Sequence, residues 1–150
     1  MFIELSKVNI LNHLKKINNS QKPLWGNMSS QRMIEHLSDI VVISRSLNHK
    51  YSLKINPENI ELAQGFIFSE KSLPKNFKVS FTSDENIARN SSLSQAIIEF
   101  ESEWDQYLKF FKSNPNVKTL HPYFGELDFE LWNRLHAKHF THHFIQFDLL

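Results

Sequence analysis

Eight histidines stand in a 150-residue chain that has no cysteine, and four of them fall in one run, HAKHFTHH, from His136 to His143. At 100° per residue, His136, His139 and His143 share a strip about 60° wide on a helix, with His142 to one side. His139 and His143 are four residues apart and so lie one turn from each other on the same face, the spacing that lets two imidazoles reach one metal ion. A third ligand has to come from another element. His36 is placed for it, because it interrupts the apolar stripe of Met33, Leu37, Ile40, Ile43, Ser44 and Leu47, a face that should point into the core. Three neutral imidazoles leave one position of a tetrahedral zinc, or up to three of a six-coordinate ion, open to water or substrate. The expected set is His36, His139 and His143 around one divalent ion, zinc or nickel first and manganese or iron as alternatives. His136 and His142 remain substitutes for one of the three.

Each histidine alone has a plainer explanation. A single imidazole on an apolar stripe is most often a buried ring satisfied by one hydrogen bond. Three converging rings are harder to explain by packing, since every buried ring has two nitrogens needing partners and a shared ion satisfies three at once. His13 and His49 read as surface or helix-end residues, and His121 as a loop residue before Pro122. Gln146, three residues after His143, and Asp39, three after His36, are placed to hold an imidazole in one tautomer. No residue in these positions supplies a general base.

Other chemistries are excluded by what is missing. Positions three before the candidate histidines hold Met33, Asn133, His136, His139 and Phe140, so the Glu-x-x-His motif of di-iron bundles is absent and a single ion is expected. Glycine occurs only at 26, 65 and 125, which removes the P-loop, the dinucleotide fingerprint and the Gly-x-Ser-x-Gly elbow. Haem would have to bind noncovalently, without a Cys-x-x-Cys-His attachment, and would not require His139 and His143 together. The 17 basic and 16 acidic residues give a net charge of +1, with no electrostatic footprint for nucleic acid or an anionic membrane.

The elements that must position the histidines follow from periodicity. A chain of this length can bury a self-sufficient core, so residues 1–150 form one domain. With three Gly and five Pro, breakers are scarce and long helices follow. Helical stripes run over about 4–17 (Val8, Leu11, Leu14, Ile17), 30–47, 93–111 (Leu93, Ala96, Ile97, Phe100, Trp104, Tyr107, Leu108, Phe111) and 129–147. Ser92 with Gln95, and Asp128, mark the starts of the last two. The middle reads as a short helix over 57–69 and an extended FKVSFT from Phe77. An all-α, antiparallel four-helix bundle with long connections buries these stripes most economically. The N-terminus carries Glu4 within its apolar stretch and no basic leader, and no stretch reaches the ~18 apolar residues of a membrane span, so a cytoplasmic protein is expected. Phe147, Leu149 and Leu150 at the chain end are the candidates for a homodimer contact.

PLWGNMSSQRMIEHL (23–37) and HPYFGELDFELWNRLHAKHFTHHFIQF (121–147), with ELAQGFIFSEKSLPKNFKV between them, resemble the DinB-like superfamily, in a bacterial branch catalogued as a domain of unknown function. The resemblance implies a four-helix bundle, often dimeric, with a divalent metal held by one histidine of the second helix and two, four apart, of the last. Carried onto this chain, those are His36 in MIEHL and His139 and His143 in HAKHFTHH. Characterised relatives include bacillithiol S-transferases, a mycothiol-dependent isomerase and metal-dependent hydrolases. The implied function is therefore hydrolysis or thiol transfer on a small-molecule substrate, through a metal-activated water or a low-molecular-weight thiol cosubstrate. A noncatalytic metal- or ligand-binding bundle is the alternative. His121, Pro122, Phe124 and Gly125 in the second block have a structural explanation, a tight turn before the Asp128 cap.

Overall fold

The computed structural model describes residues 1–47, 51–77 and 86–150. His49 and the extended segment expected beyond Phe77 lie outside the described residues. These residues form five α-helices and one two-stranded sheet: α1 (Lys7–Leu14), α2 (Ser30–Ser44), α3 (Ile60–Phe68, led in by a 3-10 turn at Pro57–Asn59), α4 (Leu93–Ser113), β1 (Thr119–His121), β2 (Gly125–Leu127) and α5 (Phe129–Gln146). None of the helices is long and apolar enough to cross a membrane.

Short polar side chains start the long helices by accepting N–H groups that have no partner within the helix. Ser29 accepts from Arg32 N, Ser92 from Gln95 N, and Asp128 from Leu131 N. Ser6 does the same for α1 by accepting from Asn9 N, which starts that helix three residues later than its stripe predicts. In this register Ile10, Leu11 and Leu14 face the core and Val8 is 70% exposed. α2 packs mainly on α4, α5 against α3 and α2, and α1 against α4. The core between them is rich in rings: Phe100, Trp104, Tyr107 and Phe111 from α4 meet Trp132, Phe140 and Phe144 from α5. Phe147 and Leu149 pack into this same core, leaving Leu150 as the exposed one of the three terminal apolar residues.

A short hairpin departs from the all-α pattern expected of the chain. Thr119 pairs with Leu127 and His121 with Gly125 in antiparallel register. Gly125 has φ +76 and an added Cβ there would lie 3.1 Å from Ile60, so glycine supplies both the backbone conformation and the space. His121 is therefore not a loop residue; it closes β1 and is 6% exposed. The hairpin ties two site-bearing helices together, because Thr119 Oγ1 donates to the Ser44 carbonyl at the end of α2 (2.6 Å) and accepts from Trp132 Nε1 of α5 (2.7 Å).

A second tie lies beside the candidate ligand of α2. Glu35 is fully buried and its carboxylate accepts from Asn90 N (2.8 Å), Arg89 N (3.1 Å), Asn90 Nδ2 (3.0 Å) and Gln31 Nε2 (3.3 Å). Burial by itself would raise this acid, but the bonds from Asn90, Arg89 and Gln31 outweigh it and keep the pKa below the usual carboxylate value. Glu35→Ala strips the partner from two backbone N–H groups just before α4, so it should cost at least about 2 kcal/mol in urea denaturation. An unchanged midpoint and slope would contradict this role.

Candidate metal centre

α2 carries His36 in its second turn, and α5 carries His139 and His143 one turn apart. His36 Nε2 lies 2.9 Å from His139 Nε2, and His143 Nε2 lies 3.0 Å from the same atom. Each ring offers a ligand atom within 4.8 Å of the others. His143 is buried and His139 half-buried. The structure thus brings together the three histidines expected from the sequence, and among the described residues they form the one group of three or more His, Cys, Asp or Glu able to share an ion.

Hydrogen bonding alone does not satisfy this arrangement. A neutral imidazole nitrogen offers one N–H or one lone pair in the ring plane. His139 Nε2 can therefore serve His36 or His143, but not both. A cation accepts all three lone pairs at once, so the donor set fits a divalent ion better than it fits a proton. Electrostatics acts in the same direction. Burial, then the charge of Arg32 and the neighbouring His142, pushes His36 down to about 4. Burial, followed by the other rings of the cluster, holds His139 and His143 well below the ordinary imidazole value. Near neutral pH the rings are in the uncharged form that ligation requires.

The remaining histidines separate from this group. His136 shares the helical strip of His139 and His143, yet it is fully buried among Tyr107 (ring centroids 5.1 Å), Phe140 (5.4 Å), Trp132 (5.6 Å) and Trp104 (5.9 Å). Neither of its nitrogens has a hydrogen-bond partner among the described residues. His142 stands edge-on to His143 at 5.1 Å and to Trp25 at 5.4 Å, and it bonds to the backbone of Leu73. His13 lies in the last turn of α1, stacked on Phe144 at 5.1 Å.

Of the two residues expected to hold a tautomer, one is in place. Gln146 Oε1 lies 2.7 Å from His143 Nδ1. Asp39 instead directs its carboxylate to Arg89 (2.8 Å) and Arg32 (3.2 Å), because two guanidinium groups reach it from α2 and from the segment before α4. Trp25, in the loop before α2, also adjoins the site. Its ring meets His142 and its carbonyl accepts from Gln146 Nε2. No signal in the sequence joins positions 121 residues apart. No known family model, curated protein or solved structure matches the chain.

The two histidines outside the cluster that are most deeply buried make an acid-stability prediction. Burial pushes His121 and His136 each down to about 3. Below about pH 6.5 the unfolded chain takes up protons at these positions and the folded chain does not, so stability is full above that pH and declines toward pH 3. Each ring contributes up to about 1.4 kcal/mol per pH unit. Urea denaturation at pH 7, 6 and 5 should show this slope, and His136→Phe should reduce it by one ring's share. Parallel profiles for the two proteins would refute the assignment.

Proposed function

We propose that this chain is a DinB-like four-helix-bundle protein that holds one divalent ion through Nε2 of His36, His139 and His143. Its activity on this reading is hydrolysis of, or thiol transfer to, a small-molecule substrate. The observation that carries the proposal is the approach of His139 Nε2 to two other imidazole nitrogens at 2.9 and 3.0 Å, which a shared cation satisfies and hydrogen bonds cannot. α1, α2, α4 and α5 are the helices of the proposed bundle, with α3 and the hairpin lying in its long connections. Zinc and nickel suit three imidazoles best, and manganese or iron are also compatible.

When bound, the ion supplies a lowered pKa to a coordinated water or thiol at the positions that three protein ligands leave open. The chain's own residues do the rest. The neutral rings present lone pairs without first having to lose protons. Half-buried His139 puts one edge of the cluster within reach of solvent. The chain has no cysteine, so a thiol in the reaction enters as a cosubstrate.

Tag-free protein loaded with zinc, nickel, manganese or iron and freed of excess should retain about one equivalent by elemental analysis. His36→Ala, His139→Ala and His143→Ala should each lower affinity at least about 100-fold, beyond the 10–100-fold typical of residues that merely support a ligand. His142→Ala and His136→Phe should retain the full equivalent. Failure to take up any of the four metals, or full retention by His143→Ala, would overturn the site. The loaded protein assayed on ester and amide substrates, with and without low-molecular-weight thiols, separates hydrolysis from thiol transfer; metal binding without turnover of any of them would favour a noncatalytic binding role.

A further inference from the structure

We infer that Gln146 is a positioning residue that locks His143 in the Nδ1–H tautomer, and that the loop before α2 sets the lock by fixing which way the Gln146 amide faces. The purpose of the lock rests on the metal reading above; its geometry does not.

The Trp25 carbonyl can only accept, and a nitrogen of the Gln146 amide lies 2.9 Å from it, so the NH2 end of Gln146 faces the loop. The amide oxygen then faces His143 Nδ1 at 2.7 Å. That oxygen also can only accept, so Nδ1 must carry the hydrogen and donate it. In a neutral ring the lone pair is then on Nε2, the atom 3.0 Å from His139 Nε2. Flipping the amide would lose both bonds, setting its oxygen against the Trp25 carbonyl and its NH2 against Nδ1. The second contact would favour the opposite tautomer, with hydrogen on Nε2 and no lone pair toward the cluster. Gln146 and His143 are both buried, so water does not readily replace either partner.

The loop is fastened where this requires it. The Leu24 N–H donates to the Gln146 carbonyl at 2.7 Å, filling one of the acceptors that the end of α5 leaves open. Gln21 Nε2 donates to the next carbonyl, that of Phe147. Gly26 follows Trp25 with φ +77, and a Cβ there would come 3.3 Å from Gln146 Nε2, so the amide occupies space that a side chain at 26 would contest. Gln146 is thereby held at its backbone by Leu24 and at its side chain by Trp25, and residues 21–26 govern a ligand that lies about 120 positions later in the chain.

Long-range 1H–15N correlation on histidine-labelled, metal-free protein reads the tautomer directly. In the wild type His143 should be protonated at Nδ1 and bare at Nε2. Gln146→Leu, with helicity checked by circular dichroism, should populate the Nε2–H form and lower zinc affinity about 10–100-fold. Gln146→Glu keeps an oxygen toward Nδ1 and should retain the wild-type tautomer, with zinc affinity above that of Gln146→Leu. A wild-type His143 protonated at Nε2 overturns the inference whether or not any variant folds, and so does an unchanged tautomer in folded Gln146→Leu. If the wild type shows the Nδ1–H tautomer but binds no zinc, the lock stands and the metal reading fails.

Discussion

Imidazole nitrogens removed from water need partners, and most of what distinguishes this fold can be traced to how it brings those of His36, His139 and His143 together. Their convergence requires α2 and α5 to be fixed in rotation and in axial position, since a shift of one residue along either helix turns a ring by about 100° away from the others. Two features outside the ring cluster provide that fixing. The hairpin anchors the end of α2 and the start of α5 on a single hydroxyl, Thr119 Oγ1, which bonds both Ser44 and Trp132. Glu35, next to His36, clamps the segment entering α4 onto α2. With α4 packed against α2, and its rings against those of α5, His36 is held opposite its two partners.

His136 shows that the same residue type on the same strip can have a different environment. One turn before His139, it is enclosed by Trp104, Tyr107, Trp132 and Phe140 and has no neighbouring imidazole nitrogen to share a ligand with. Its burial favours the neutral form, as does that of His143, but its surroundings are ring faces and edges rather than lone pairs. Ligation depends on convergence, and convergence depends on what the opposing helix offers. α2 offers His36 at one level, and α4 offers Trp104 and Tyr107 at the other.

This contrast also explains what could be read from the sequence. Helical phase selects His139 and His143 and places His36 on an inward face, because period 3.6 is a property of the chain itself; the caps at Ser92 and Asp128 are equally local. Phase alone cannot separate His136 from its neighbours, since that difference belongs to α4. The first helix starts late because Ser6 caps it, and, separately, its buried face is the one carrying Ile10, Leu11 and Leu14 rather than the one through Val8. Strands of three residues are too short to show alternation, so the hairpin and the burial of His121 were hidden. Gln146 was legible as a neighbour of His143 by its spacing of three, but its bond to Trp25 arises only when the loop folds back on the end of α5. Asp39 has the same spacing from His36, and Arg32 and Arg89 claim it.

On the proposed reading, three imidazole nitrogens bind one ion. X-ray absorption at the metal edge of zinc- or nickel-loaded protein tests it most directly, because it reports the atoms around the ion without reference to activity. The zinc form should show a first shell containing nitrogen at about 2.0–2.1 Å, with the outer-shell scattering of three imidazoles and the remaining positions filled by light atoms. A shell of oxygen alone, or one with a single imidazole, would contradict it.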